Sequence, residues 1–285
     1  MKNIIENQIF SKERDLYNLK DTVVQNCKIE GEEDGESALK ECRNIHVINT
    51  ELKLRYPLWH DHTFLIKDCH MYDTCRAALW YSTNGTISSS KLHGIKALRE
   101  CSNISINHCD INSDEFGWKC NDIIMANTKI NSAYLFFESN NITLKNVKFK
   151  GKYSFQYVKN LIINESILDT KDAFWHSKNV TLRNCVINGE YLGWYSKGLT
   201  LINCKIKGTQ PLCYCENLKL INCEMEDCDL AFEYSSVKAT LKGKIKSIKN
   251  PKKGKIVVDY VEKVYITDDS KFPCNAYIDA KNGLN

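Results

Sequence analysis

The sequence has 285 residues, of which 43% are hydrophobic, so the chain is long enough to bury a large core. Lysines and arginines number 39 against 35 acidic residues, which leaves a net charge of +4 without the basic stripe typical of nucleic-acid-binding proteins. No stretch approaches the ~18 apolar residues of a membrane span. Composition therefore predicts neither nucleic acid nor a membrane as a partner.

The first ten residues alternate isoleucine with polar residues and lack the apolar core of a secretory signal. We therefore expect a cytoplasmic location. Residues 1–20 are predicted to form an N-terminal cap, with a short turn or helix near Ser11–Asp15.

A corner residue recurs along most of the chain. Its positions, each 19 residues after the last, are Ser89, His108, Asn127, Asn146, Glu165, Asn184, Asn203 and Asn222. Earlier corners at Asn26, Asn49 and Asp68 fit steps of 23, 19 and 21. Self-similarity at a fixed period is typical of a solenoid, in which each coil contacts its neighbours.

The stretch Asn141–Phe149 shows how one coil is built. Alternation places Ile142 and Leu144 on one face, and after Asn146 the pattern shifts by one residue, so that Val147 and Phe149 point inward. Asparagine suits such a corner because it tolerates left-handed backbone angles. A second column of corners lies five residues earlier, at Asn44, Asn84, Asn103, Asn141, Asn160, Asn179 and Asn217. The two columns predict stacked asparagines, an asparagine ladder, on both sides of a short strand.

A third strand is predicted from Tyr153–Val158 and its equivalents. One set of alternate positions holds all five tryptophans, in the column Trp59, Trp80, Arg99, Trp118, Phe137, Gln156, Trp175, Trp194, Cys213 and Phe232. Because small residues such as Ser82 and Ser139 flank it, we expect the column to face inward. If it faced outward, it would form an aromatic strip of the kind that binds sugar rings.

Three short strands per coil, without any helix-length amphipathic segment, predict an all-β fold. We expect a right-handed, single-stranded parallel β-helix with ~19-residue coils and terminal caps. Its domains are predicted as cap 1–20, about eleven β-helix coils over 21–245, and a C-terminal β cap over 246–285. A leucine-rich repeat fits less well, because Leu218, Leu220 and Asn222 are spaced by two.

The alternate positions of the third strand are expected to face solvent as a strip of aromatic side chains. Candidate ligand-binding residues are Tyr134, Tyr153, Phe155, Tyr157, Phe174, Tyr191, Tyr195 and Tyr214. Tyrosines stacked ~5 Å apart suit a carbohydrate-like ligand, since a ring face covers the sugar and the hydroxyl bonds to it. Self-association or another protein partner would use the same residue types, and a terminal segment folded over the strip is a third alternative.

Five residues of this strip are weak candidates for catalysis as a polysaccharide hydrolase or lyase. Asp172 and His176 lie on one predicted strand, ~13 Å apart by strand rise, which is too far for a direct pair. Glu100, Lys119 and Glu138 share one column in successive coils, and a salt bridge is the expected arrangement. Glu100 and Glu138 match the carboxylate separation of a glycosidase, but any acidic column on a solenoid does so.

The fourteen cysteines occupy positions where serine, threonine or valine stand in other coils, so we expect reduced thiols that pack in the core. No metal or cofactor is predicted. Cys213 and Cys215 have the wrong spacing for a zinc site. Alternation turns Asp61 away from His60 and His62.

Eight lysines lie between Lys238 and Lys255, around a turn at Asn250-Pro251. Most such clusters are solvated, and an anionic partner is the alternative.

The stretches Lys171–Trp175, Gly189–Trp194 and Leu230–Ser235 resemble an uncharacterised, mainly bacterial family of single-domain proteins. The likeness extends over nearly the whole chain. It implies a fold similar to that of pectin lyases, whose active cleft lies on the outer face of one sheet. The chain lacks their calcium-binding aspartates and catalytic arginine, so the resemblance implies the fold and no activity.

Overall fold

The computed structural model describes residues 3–31 and 36–281. Over these residues the chain forms β-strands joined by turns and contains no helix. Two compact units are present, Met1–Thr143 and Leu144–Asn285, and β18 (Asn140–Lys145) contains the division.

The first unit is built of short strands, each two to six residues long, which are joined by turns. They are β1 (Asn3–Glu6), β2 (Ile9–Phe10), β3 (Lys20–Gln25), β4 (Lys28–Ile29), β5 (Arg43–Ile48), β6 (Glu51–Leu52), β7 (Leu58–Trp59), β8 (His62–Lys67), β9 (His70–Met71), β10 (Leu79–Trp80), β11 (Thr83–Ser88), β12 (Lys91–Leu92), β13 (Leu98–Arg99), β14 (Ser102–Asn107), β15 (Asp110–Asn112), β16 (Asn121–Ala126) and β17 (Lys129–Ala133).

The second unit continues with strands of similar length. They are β19 (Lys148–Lys152), β20 (Lys159–Asn164), β21 (Ile167–Lys171), β22 (Lys178–Arg183), β23 (Val186–Asn188), β24 (Lys197–Ile202), β25 (Lys205–Lys207), β26 (Leu218–Glu224), β27 (Ser236–Lys242), β28 (Lys244–Lys249), β29 (Lys253–Val258), β30 (Tyr260–Tyr265) and β31 (Tyr277–Ala280).

All pairings between these strands are parallel. In the first unit one continuous series runs through β1, β3, β5, β8, β11, β14 and β16. In the second unit the series is β20, β22, β24, β26, β27, β29 and β31. Paired residues such as Ile163 and Leu182 are 19 positions apart. The predicted right-handed parallel β-helix is therefore confirmed.

The coils extend beyond the eleven expected from the corner residues. β1 and β2, in the stretch predicted as a cap, already pair in parallel with β3 and β4. Near the other end β29 pairs with β27 and β31, and β30 pairs with β28. The described residues thus form about 14 turns. The estimate of eleven was too low because the count began at Asn26, although Asn7, 19 residues earlier and with a φ of 56°, is already a corner between β1 and β2.

The corner residues adopt left-handed backbone angles, as the sequence predicts. From Asn26 to Asn222 their φ values lie between 46° and 54°. Some neighbouring asparagines are hydrogen-bonded through their side chains: Nδ2 of Asn49 donates to Oδ1 of Asn26 at 2.8 Å, and Asn203 donates to Asn184 at 3.3 Å. Each corner turns the chain so that the next strand can again bury alternate residues.

The third segment of most coils is a turn and not the expected strand. Only β7, β10 and β13 form short strands at this position in the described chain. In the coil of Tyr153, Phe155 and Tyr157, all three residues have φ values of 56–58°. A left-handed residue at every second position changes the direction of the side chains, so the two-residue alternation of a strand does not hold here.

Aliphatic residues, phenylalanines and thiols fill the core. Thirteen of the fourteen cysteines are buried, all are free, and Cys274 is partly exposed. Their thiols donate to carbonyl oxygens, as Cys69 does to Val47 at 3.4 Å, and Ser82 makes the same kind of bond to Leu58 at 3.2 Å. The prediction that reduced cysteine packs in place of serine is confirmed.

Candidate functional site

The tryptophan column does not face inward. All five tryptophans are half-buried, with part of each indole at the surface. Trp59 and Trp80 stack at 5.4 Å in the first unit, and Trp175 and Trp194 stack at 5.3 Å in the second. The expectation of an inward column was wrong because the left-handed turn residues rotate this position toward solvent.

Three of the five indoles donate a hydrogen bond to the next coil, whereas Nε1 of Trp59 and of Trp80 has no partner among the described residues. Nε1 of Trp175 donates to the carbonyl oxygen of Tyr191 at 2.7 Å, and Trp194 donates to Gln210 at 2.8 Å. Gln156 makes the same bond to Asp172 at 3.0 Å. This shared bond explains why glutamine replaces tryptophan in the column, since both side chains present an N–H donor at the same place.

Beside the tryptophans, the second unit carries four rings in successive coils, which we name the aromatic ladder: Tyr157, His176, Tyr195 and Tyr214. Their ring centroids are 4.9, 5.0 and 4.8 Å apart, with interplanar angles of 9°, 7° and 17°. Tyr157 and Tyr195 are 45% and 41% exposed. Tyr234 continues the series beyond Tyr214 at 5.7 Å, with a tilt of 55°.

Stacking determines which atoms of the ladder meet solvent. The inner rings of His176 and Tyr195 are covered on both faces by their neighbours. A sugar therefore cannot lie on those faces, and the mode of binding expected from the sequence is wrong for the inner rings. The ladder presents ring edges, a row of phenol hydroxyls and the imidazole nitrogens. Burial raises the pKa of Tyr214 to about 12, so this hydroxyl remains a hydrogen-bond donor near neutral pH.

Two residues expected in the exposed strip belong to the core. Phe155 and Phe174 are fully buried and stack on each other at 5.0 Å. They hold the middle position of their turns, which the left-handed backbone directs inward. Tyr153 and Tyr191 hold the first position and are half-buried. Tyr134, in the first unit, is 38% exposed.

The first unit has charged residues in the column that corresponds to the ladder. Lys119 lies 3.9 Å from Glu138, which confirms a salt bridge for this pair, whereas Glu100 pairs with Arg99 at 3.5 Å. The guanidinium of Arg99 lies between the rings of Trp80 and Trp118, 5.2 Å from each. These contacts occupy the carboxylates that were considered for hydrolysis.

Asp172 and His176 have different surroundings. His176 is part of the ladder, whereas Asp172 is 7% exposed and precedes the buried Phe174 by two residues. Burial raises the pKa of Asp172, the charge of Lys171 acts against this shift, and the charge of Glu190 adds to it. Glu190 is itself held by Lys171 at 2.9 Å. The second unit thus contains an acid with a raised pKa close to a second carboxylate.

The His60-Asp61-His62 stretch has structural contacts. His60 bonds to Glu41 at 3.0 Å and His62 to Thr83 at 2.7 Å, while Asp61 is buried. Across residues 3–31 and 36–281 no group of three or more His, Cys, Asp or Glu side chains could hold a metal ion. In the same residues no helix has the length and apolarity to cross a membrane.

Sequence reasoning favoured an inward tryptophan column and so left Trp175 and Trp194 out of the exposed aromatic surface. His176 was placed in the strip, as a candidate for catalysis, and it shares a 19-residue column with Tyr157 and Tyr195. The orientation of the tryptophans had no comparable signal.

Several solved structures are similar to this chain. A tailspike protein mutant of E. coli bacteriophage HK620, in complex with a hexasaccharide, is 9% identical with a TM-score of 0.50; the match covers 98% of this chain and 66% of that one, just under two thirds. The surface adhesin PfbA of Streptococcus pneumoniae is 11% identical over 88% of this chain and 72% of that chain, with a TM-score of 0.38. The mannuronan C-5 epimerase AlgE6 A-module of Azotobacter vinelandii is 10% identical over 94% and 91%, with a TM-score of 0.43. At these identities the likeness concerns the fold alone.

No curated protein matches the sequence. The family model described as "Protein of unknown function (DUF3737)" matches residues 3–279, which confirms the resemblance seen in the sequence: the chain belongs to this family.

Proposed function

We propose that the second unit binds an extended glycan along the aromatic ladder. The observation that supports this is the regular spacing of Tyr157, His176, Tyr195 and Tyr214, at about one coil per ring and in nearly parallel planes. A repeating row of polar atoms on an apolar surface suits a ligand that itself repeats. Tyrosine combines an apolar body with a polar tip, as carbohydrate contacts require.

In this arrangement the glycan bonds to the outer edge of the ladder. Sugar hydroxyls exchange hydrogen bonds with the phenol hydroxyls and with the nitrogens of His176, while apolar sugar faces contact the ring edges. Further polar groups lie two residues after the ladder residues. Lys178 and Lys197 are paired in register there, and Lys197 forms an ion pair with Glu216 at 3.0 Å. These groups supply additional partners for ring hydroxyls.

The experiment is glycan-array binding followed by titration of the best glycan. Tyr195→Phe keeps the stacked ring and removes one hydroxyl, so we expect about a fivefold loss of affinity, as for one hydrogen bond. Tyr157→Ala/Tyr195→Ala removes two rungs and is expected to abolish measurable binding. Tyr277→Ala is the control, because Tyr277 is 61% exposed in the same unit and lies outside the ladder.

The mass of each variant in solution is measured alongside. Failure of the native protein to bind any glycan would overturn the proposal. If the double variant also changed from an oligomer to a monomer, the ladder would be assigned to self-association.

Hydrolysis of the bound glycan is a second candidate function. It is favoured by Asp172, whose pKa burial raises as a general acid requires, and by Glu190 in the next coil, whose carbonyl oxygen accepts a bond from the amide of Asp172 at 3.0 Å. Release of reducing ends from the glycan that binds best is the measurement. We expect Asp172→Asn and Glu190→Gln each to abolish release and to leave binding within about twofold. Binding without release by the native protein would limit the function to recognition.

A further inference from the structure

A group of lysines in the second unit has no acidic neighbour. Lys219, Lys238 and Lys255 are paired in register on the adjacent strands β26, β27 and β29. Parallel strands lie ~4.8 Å apart, so the side chains of these lysines leave the sheet as neighbours. Like charges directly opposite each other are unfavourable, which makes the arrangement costly for the free protein.

Several other lysines of this unit are neutralised. Lys171, Lys197 and Lys205 each form an ion pair, at 2.9–3.0 Å, with the glutamate 19 residues later: Glu190, Glu216 and Glu224. In the part of the chain that the structure describes, no carboxylate lies within salt-bridge distance of Lys219, Lys238 or Lys253. Lys159 and Lys178, paired in register on β20 and β22, also have no ion pair among the described residues, so the concave shape of the lysine patch, and not the lysine column alone, distinguishes it.

Two of these lysines, Lys219 and Lys238, line a surface pocket of about 480 Å³ together with Lys253. The rest of the lining is Asn217, Ser236 and Gly254 with the apolar residues Leu218 and Val237. Gly254 has a φ of 116°, and a side-chain carbon there would lie 1.9 Å from the carbonyl oxygen of Val237. The backbone of the pocket thus depends on glycine, and its polar groups include the hydroxyl and amide expected around a bound anion.

We propose that this pocket binds an oxyanion, that is, a phosphate, sulfate or carboxylate group. Three ammonium groups around one concave site supply the charge, and the anion removes the repulsion between the paired lysines. The inference is independent of the aromatic ladder and of glycan binding. The oxyanion has two possible sources, a free inorganic ion or an acidic group on a sugar.

The test is calorimetric titration of inorganic phosphate at constant ionic strength. We expect Lys219→Gln/Lys238→Gln to raise the dissociation constant at least about tenfold. The matched control, Lys148→Gln/Lys150→Gln, removes two exposed lysines of β19 in the same unit and is expected to bind as the native protein does. Unfolding midpoints without anion check the fold, and the pocket variant should match or exceed the native protein because repulsion is removed.

Equal affinity in the pocket and control variants, or the absence of binding to the native protein, would overturn the inference. Glucuronate and glucose then identify the source. Displacement of phosphate by glucuronate and not by glucose assigns an acidic sugar, whereas displacement by neither assigns a free inorganic anion. Loss of binding to neutral glycans in the ladder variants, with phosphate binding intact, keeps this result separate from the proposed function.

Discussion

Asp61 occupies a position in which the other coils of the first unit have serine or cysteine. Ser82, Cys101 and Ser139 hold this position and donate hydrogen bonds to backbone carbonyls. Asp61 is fully buried, and its Oδ1 accepts a bond from the amide of Cys42 at 2.7 Å, while its Oδ2 has no partner among the described residues. Burial raises the pKa of this carboxyl well above its usual value. A protonated carboxyl can donate a bond as serine does, and an ionised one cannot.

The pH dependence of stability follows from this shift. The carboxyl titrates near 3.9 in the unfolded chain and at a higher pH in the folded protein. The native protein therefore loses stability as the pH rises from about 4 through the folded-state pKa. Asp61→Asn keeps the acceptor and supplies a permanent donor, so we expect its free energy of unfolding to be higher by about 1–3 kcal/mol at pH 7.

Urea denaturation at pH 4 and pH 7 checks this prediction. The gain should be much smaller at pH 4, where the folded protein holds the proton and the unfolded chain holds it about half of the time. Asp73→Asn, at an exposed position in the same unit, is the control and should show no gain at either pH. An equal gain at both pH values would mean that the substitution acts through packing and not through ionisation.

Some of the left-handed residues could be predicted from the sequence and others could not. Asn184 and Asn203 were predictable as corners, because asparagine adopts left-handed angles more readily than most residues. Tyr153, Phe155 and Tyr157 have the same left-handed angles, although their side chains disfavour them. Because the packing of neighbouring coils imposes these backbone angles, no local sequence pattern could predict which of the three side chains is buried.

At the scale of one element, the consequence was an error in the candidate site. Period-two alternation predicted the six-residue strands correctly, as in β20, where Leu161 and Ile163 are buried. The same rule failed in the third segment, where it predicted that the tryptophan side chains point inward, although they reach the surface. The candidate site therefore included two core phenylalanines, Phe155 and Phe174, and left out two surface tryptophans, Trp175 and Trp194.

Substitution of a corner residue tests why asparagine is used there. Asn184 has a φ of 54° and accepts a bond from Asn203 at 3.3 Å. Asn184→Ala removes that bond and places in the left-handed region a residue that adopts it less readily than asparagine does, so we expect a loss of about 1–2 kcal/mol in the free energy of unfolding. Asn184→Gly also removes the bond but tolerates the angle, and should lose clearly less.

Chemical denaturation of both variants provides the comparison. Asn188→Ala, in β23 and without a left-handed angle, is the control and should differ little from the native protein. If alanine and glycine at position 184 gave equal losses, the side-chain bond, and not the backbone angle, would determine the choice of asparagine.

At the scale of the whole molecule, coils that contact only their neighbours make stability depend on position along the solenoid. Opening of such an array starts most readily at an end, where a coil has one neighbour. Cys27, Cys69 and Cys109 report on this within the first unit, because each follows a corner by one residue and each thiol donates to a backbone carbonyl. Their order along the chain gives three depths from the N-terminal end.

Thiol labelling under native conditions, mapped by mass spectrometry, follows this opening. Reaction requires a thiolate in contact with solvent, so a buried thiol reacts only after its coil opens. We expect Cys274, the partly exposed thiol, to react first, and then Cys27 before Cys69 and Cys69 before Cys109.

Static exposure predicts the reverse order for the last three, since Cys27, Cys69 and Cys109 are 2%, 3% and 5% exposed. The two explanations are thus separated by one experiment. Equal rates would indicate that the unit opens as a whole, and the fastest reaction at Cys109 would indicate that residual exposure controls access. Rates that fall from Cys27 to Cys109 would mean that the end coil opens first and that each further coil adds stability to those already formed.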